Sequence, residues 1–358
     1  LVSYIGDFRM SIAISGSSIT FPDLTQMSTA VGGSFRNRVI NGDMRIDQRN
    51  AGVAYAITSS LYGSCDRWGS LAGANGVWTQ QRVATGSTNF PFATRVQRVA
   101  GSTSNAAGYI GQVIETTNCQ DLAGQTITVS YYATAGANFS AASSIIYPTI
   151  DIGTGTDQGW GSLNAATWTG YTAISSATQA ITTTRTRYSI TVTVPAGTNE
   201  IGVRFAAIGT GTAGANDWFQ ITGVQLEAGS TATEFERRPI GTELALCQRY
   251  YQKTYELLTA PGTVTTIGAI NYIATGAFQD LNDRLMVEMR GVPSTVQIFN
   301  PATGTAGQVR NYTNSTNYTA TINSGAGQTS SKQTQFRTSV PATSANELTY
   351  HLTVDAEL

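Results

Sequence analysis

Apolar and polar residues alternate along most of this chain. Between Gln125 and Tyr132, Thr126, Thr128 and Ser130 fall on one side and Ile127, Val129 and Tyr131 on the other, the two-residue period of a half-buried strand. Comparable runs recur at 39–46, 78–83, 95–99, 108–114, 145–150, 188–194, 200–207 and 218–226, each bounded by Gly, Asn, Pro or Ser clusters. Many short strands at this spacing predict a β-sandwich or barrel over residues 35–239. The alternation returns after residue 258, with strands expected at 263–273, 285–287, 295–299 and 348–354. Residues 259–358 therefore read as a second, C-terminal β-sandwich-like domain, with the Thr-, Asn- and Gly-rich stretch 302–331 as surface hairpins. Residues 1–34 form a lead segment that ends in the hinge-like Val31-Gly32-Gly33-Ser34.

One stretch departs from the alternation. From Thr242 to Leu258 the spacing is helical, with Leu244, Cys247, Tyr251 and Leu258 on one stripe and Leu246, Tyr250 and Leu257 on a second. A linking helix is expected over 240–258. Two apolar stripes are more than one neighbouring body need cover. The first stripe is therefore a candidate interface between subunits, and packing wholly within its own chain is the alternative.

Composition narrows the class. Charged residues make up 12% of the 358, about half of the roughly 25% usual in soluble proteins, and Thr, Ser, Gly and Ala take their place. The net charge of −1 leaves no basic excess to neutralise phosphates, which argues against nucleic-acid binding. No run of 18 apolar residues exists, so no membrane-spanning helix is expected. Residues 1–14 lack the basic and apolar regions of a signal peptide, and an opening Leu1 suits an internal or processed piece. Cys65, Cys119 and Cys247 have neither disulfide nor zinc spacing, consistent with folding in a reducing cytoplasm.

Two groups of strings go beyond composition. The first runs from Phe35 through Asn41-Gly42-Asp43 to Arg49, followed by Cys65-Asp66-Arg67-Trp68. The second runs from Trp218 to Gly229, followed by Thr233-Glu234-Phe235-Glu236-Arg237-Arg238-Pro239 and Cys247-Gln248-Arg249-Tyr250-Tyr251. In this order, over about residues 35–255, they resemble a domain common in phage tail-fibre proteins. Residues 350–358 look like the terminal strand of such proteins, and Phe21-Pro22-Asp23 looks like a short motif of their lead segments. The same strings resemble the opening and closing strands of jelly-roll carbohydrate-binding modules. Thr222-Gly223 stands where calcium-binding modules often carry acidic residues, so no metal or other cofactor is expected.

The resemblance implies an all-β protein with a jelly-roll sandwich, made in the bacterial cytoplasm and carried on the virion. Its implied partners are further copies of itself in a homotrimer, other tail or virion proteins, and a host surface glycan. A head decoration or cement protein without sugar binding is one alternative, and a glycan depolymerase is another. Asp66, Arg67, Glu234, Glu236, Arg237 and Arg238 are expected to pair structurally across the base of the sandwich.

Catalysis is not expected. The single histidine, His351, excludes mechanisms that need two, and no nucleophile-elbow, zinc-protease, phosphate-loop or EF-hand motif is present. Glycoside hydrolysis needs only two carboxylates. Asp151 and Asp157 flank one turn and Asp280 and Asp283 another, but no β-helix repeat of the depolymerase kind is visible. For sugar binding the candidates lie between residues 157 and 171: Trp160, Trp168 and Tyr171 to stack on pyranose faces, and Asp157 and Asn164 to bond hydroxyls. The other reading makes these aromatics a plug at one end of the sandwich. Asn311, Asn314 and Asn317 each begin an Asn-x-Ser/Thr triplet and mark an exposed hairpin.

Overall fold

The computed structural model describes residues 35–74, 76–274, 278–322, 329–339 and 346–358, with three short strands nearer the N-terminus. The hinge at 31–34 and the Phe21-Pro22-Asp23 string lie outside the described residues. The chain packs as two units, Leu1–Arg36 and Asn37–Leu358. In the first, β1 (Ala13–Ser15), β2 (Ser18–Thr20) and β3 (Gln26–Ser28) form an antiparallel meander. The segments read as 35–239, 240–258 and 259–358 all lie in the second, apart from its first two residues.

The described residues are nearly all β, with few helical turns. The sandwich strands are β4 (Tyr55–Ala56), β5 (Gly69–Ala72), β6 (Trp78–Ala84), β7 (Phe92–Arg98), β8 (Ala107–Ile114), β9 (Thr126–Ala135), β10 (Ile145–Gly153), β11 (Thr172–Ser176), β12 (Gln179–Ala180), β13 (Thr186–Thr193), β14 (Glu200–Ile208) and β15 (Trp218–Ala228). One sheet runs β11-β10-β14-β8-β5, with β12 beside β10; the other runs β13-β9-β15-β7-β6-β4. Every ladder is antiparallel, and the chain crosses repeatedly from sheet to sheet, as in a jelly roll. The alternation read from sequence sets the core. Ile110, Ile150, Val203 and Phe205 of one sheet meet Val96, Val129, Tyr131 and Ile221 of the other, around Trp68 and Trp78. Tyr131 and Phe205 pack edge to face at 4.8 Å.

Residues 39–46, expected as a strand, form none. The segment is buried, and side chains take the place of a ladder. Asn37 donates through Nδ2 to the Val224 carbonyl (3.1 Å), and its Oδ1 accepts from the amides of Val39 and Leu226. Gln112 pairs with both the amide and the carbonyl of Ile40, at 2.8 Å each. Asn41, at φ 54°, donates to the carbonyls of Ile46 and Asp66 and accepts from the Ile46 amide. Arg238 donates to the carbonyls of Asn37 and Val39. Buried backbone groups need partners wherever they come from, and an Asn- and Gln-rich sequence supplied them without a partner strand. Opposite this segment, β15 shifts register between Thr222 and Gln225, with Gly223 at φ +59°. The Val224 amide donates to Gly42 O at 2.9 Å, so the two strings that carry the family resemblance meet here.

Among the described residues two short α-helices interrupt the strands, α1 (Trp160–Asn164) and α2 (Ile240–Gln248), besides three single 3-10 turns. The expected helix over 240–258 is thus only its first half. Beyond the turn at Arg249 and Tyr250 the chain becomes β16 (Tyr251–Lys253) and pairs with residues 353–355; a ready ladder outcompetes helix propensity for adjacent tyrosines. The interface assignment changes with it. Cys247 and Tyr251 are buried within their own chain, Leu244 is half-buried against Ile40 and Ile46, and only Leu258, 66% exposed, remains open.

Beyond β16 follow β17 (Ile270–Ala274), β18 (Phe278–Arg284), β19 (Thr295–Phe299), β20 (Gln308–Asn311), β21 (Thr316–Ile322), β22 (Gln333–Ser339) and β23 (Asn346–Asp355). With β16 they make an eight-stranded, sandwich-like sheet around Leu281, Ile298, Val309, Phe336, Leu348 and Leu352. Residues 285–287 are not a strand, because the Gln252 side chain accepts from the amides of Met286 and Val287 and donates to the Val287 carbonyl. Ion pairs join this sheet and α2 to the sandwich: Arg49 to Asp355 at 2.6 Å, Arg67 to Glu357, Arg249 to Glu115 at 2.8 Å and Arg290 to Asp157 at 3.1 Å.

Two stability predictions follow from the 37–48 segment. A Cβ on Gly42 would lie 2.2 Å from the Val224 carbonyl oxygen, a backbone atom that cannot swing away. Gly42→Ala should lower unfolding free energy by about 1–3 kcal/mol, whereas Gly241→Ala, which meets open space in α2, should not; urea denaturation compares them. Burial also pushes the Asp66 carboxyl, hydrogen-bonded to Gln48, up to about 6. The folded state then holds a proton that the unfolded state has released, so this group's stabilisation is present at low pH and is lost as pH rises through about 6. Asp66→Asn should shrink the stability gained between pH 7 and pH 5 relative to the parent.

Candidate functional site

The register of β10, β14, β8 and β5 fixes which side chains leave the sandwich on its outer side. Ile150, Val203, Phe205 and Ile110 point into the core, so their alternates point out. Across the sheet these fall into rows. Tyr147, Ala206, Tyr109 and Leu71 are cross-strand neighbours in one row; Thr149, Arg204, Gly111 and Gly69 make the next; Asp151, Gly202 and Val113 the third.

The second and third rows carry glycines because α1 lies on them. Cβ atoms at Gly69 and Gly111 would clash with the Trp160 ring, and one at Gly202 with Leu163. The Trp160 indole donates to Ser70 O at 3.1 Å, and Trp168 donates to Gly159 O at 3.2 Å. Trp160 is 1% exposed and Trp168 3%, so neither offers a ring face to a sugar, and their assignment as sugar platforms is corrected. They plug a sheet face and not the end of the core. Asn164 turns back to donate to the Trp160 carbonyl, closing the short helix. Asp157 accepts from the Thr116 amide and from Arg290, so it joins the two β-bodies and is not a ligand contact.

Tyr171 alone of the sequence candidates reaches the open part of this face. Its hydroxyl donates to Asp151 Oδ1 at 3.0 Å and accepts from Arg204. Arg204 grips Asp151 through Nε (2.6 Å) and Nη2 (2.7 Å). Burial raises the Asp151 carboxyl while the Arg204 hydrogen bonds lower it. The result is a fixed, internally neutral group of carboxylate, guanidinium and phenol at the edge of the plug. Beyond it, Tyr109 and Tyr147 stand half-buried on either side of Ala206, two strands and so about 10 Å apart. Tyr109, Tyr147 and Arg204 were missed in the sequence reading. The signal was present, since each is the outward alternate of a correctly placed strand, but which outward face stays open depends on where α1 folds.

No family model and no curated protein sequence matches the chain. Among solved structures, a family 4 carbohydrate-binding module is similar at 17% identity over 53% of this chain and 98% of its own, with a TM-score of 0.30. A putative sugar-binding protein from Bacteroides thetaiotaomicron is similar at 13% identity over 54% of this chain and all of its own, TM-score 0.32. The enzymatically active domain of tailspike protein 4 from bacteriophage CBA120 is similar at 14% identity over 57% of this chain, TM-score 0.33; the match spans 23% of the tailspike's length.

The burial of the plug is testable. Trp160→Ala removes a ring seated on two strands and should cost about 3–5 kcal/mol of stability, seen as a lower unfolding midpoint.

Proposed function

We propose that this chain is a structural and attachment protein of a phage appendage, carried on the virion, that holds a host surface glycan on the outer face of its β11-β10-β14-β8-β5 sheet. The observation that carries the sugar-binding reading is the pair of half-buried tyrosines, Tyr109 and Tyr147, flanking Ala206 beside the Arg204–Asp151–Tyr171 group. Phenol rings supply apolar faces for pyranose stacking, and the polar group supplies fixed donors and acceptors. Because Arg204 and Asp151 neutralise each other, the face suits an uncharged saccharide. The appendage assignment is supported by the two sequence strings, which the fold brings together at Gly42 and Val224.

The same reading makes the protein non-catalytic. His351 is buried, stacks on Tyr255 at 3.7 Å and has Thr254 and Thr265 at its two ring nitrogens, so neither nitrogen is free for proton transfer. Asp151 and Asp157 are each engaged by an arginine. A homotrimer remains part of the proposal, but one not held by Cys247 or Tyr251.

The test is adsorption to host cells and to isolated host polysaccharide. Tyr109→Ala with Tyr147→Ala should weaken both at least about tenfold, or about 1.4 kcal/mol, with the sandwich still folded by circular dichroism. Unaltered adsorption would remove this face from the reading, and release of reducing sugar by the purified protein would reverse the non-catalytic part.

A further inference from the structure

The opposite sheet has an outer face of different chemistry. Inward positions on β6, β7, β9 and β15 are Trp78, Val96, Ala133 and Phe219. Their alternates form a second set of rows: Thr134, Gln220, Arg95 and Gln81 are cross-strand neighbours over four strands, and Trp218, Gln97 and Thr79 flank them over three. Most of these side chains are half-buried, as on a flat sheet open to solvent.

Arg95 is the one charged residue of the two rows. Its guanidinium lies over the Trp218 ring, 4.7 Å from the centroid, and with the Gln220 amide turned to face it with oxygen, Nε and Nη2 donate to that oxygen at 3.2 Å each. Among the described residues no carboxylate pairs with it. That sets it apart from Arg49, Arg67, Arg98, Arg204, Arg238 and Arg249, each of which meets an acid. Neutral amides and a hydroxyl surround it: Gln97 Nε2 is tied to Ala215 O, and Gln81 Nε2 to Gly52 O. In a chain this poor in charge, a cation held rigid by an aromatic ring and an amide, with its remaining N–H groups free, is an anion receptor.

We propose that this face is a second saccharide site, selective for an acidic sugar: the Arg95 fork takes a uronate carboxylate, while Gln81, Gln97 and Thr79 bond the hydroxyls of the flanking rings. The amide and hydroxyl groups repeat at the strand spacing of about 4.8 Å, which matches an extended chain lying across the strands. The site stands apart from Tyr109 and Tyr147, so it can fail or hold independently of the attachment face described above.

Affinity electrophoresis of the whole protein, with polygalacturonate or its methyl ester in the gel, tests the idea, because the two polymers share a backbone and differ in charge. The parent protein should be retarded by the acid and not by the ester. Arg95→Gln should lose that retardation by about tenfold or more, and Thr79→Glu, which leaves Arg95 in place and adds a like charge to the ligand, should lose it too. The Tyr109→Ala and Tyr147→Ala variant should keep it. Equal retardation of the parent and Arg95→Gln would overturn the proposal, as would an unretarded parent or stronger retardation by a phosphorylated mannan than by polygalacturonate.

Discussion

Everything in the larger unit rests on how residues 37–48 satisfy their backbone. The segment runs through the interior beside β15 without becoming a strand of its ladder. Each of its amides and carbonyls would carry a desolvation penalty of about 1–3 kcal/mol if left bare. Asn37, Asn41, Gln112 and Arg238 remove that penalty by acting as a partner strand made of side chains. Such networks are stabilising when complete and costly when broken. The dependence reaches far along the chain, since Gln112 belongs to β8, Arg238 to the exit of the sandwich, and Glu243, which accepts from the Asn41 amide, to α2.

The ionic ties between the two β-bodies follow the same economy. With so few charged residues, many of those described are placed where they bridge elements distant in sequence. Arg49 and Arg67 lie against Tyr251 and Tyr250 at 3.9 and 3.5 Å while pairing with Asp355 and Glu357. Burial this deep makes each pair strongly dependent on its partner. The two faces proposed for sugar differ through the same rule: Arg204 is neutralised by its neighbour and Arg95 is not.

Strand placement was legible in the sequence because a two-residue period survives whatever the strand packs against. Most strands of the sandwich lie within a few residues of where alternation put them. Three misreadings share one cause. Residues 39–46 and 285–287 have the apolar pattern of strands, but side chains rather than a neighbouring strand met their hydrogen bonds. Tyr251 to Leu258 carry a helical spacing, but a free edge on residues 353–355 claimed Tyr251 to Lys253. Each outcome was decided by a partner remote in sequence, which local periodicity does not encode. The site was less legible for a related reason. Trp160 and Trp168 were singled out for their chemistry, and chemistry alone does not say which face of an indole remains uncovered.

β23 stands at the centre of the C-terminal sheet. Its ten residues pair with β16 and β19 at one end and with β17 and β20 at the other. It is also the last strand in chain order. On a ribosome, the sandwich strands up to β15 can find one another while the chain is still growing, but β16, β17, β19 and β20 have no central partner until residue 355 has emerged. Contacts that span a hundred residues close slowly. The C-terminal body thus closes only when β23 is in place, with the sandwich as the surface on which Arg49 and Arg67 pair with Asp355 and Glu357.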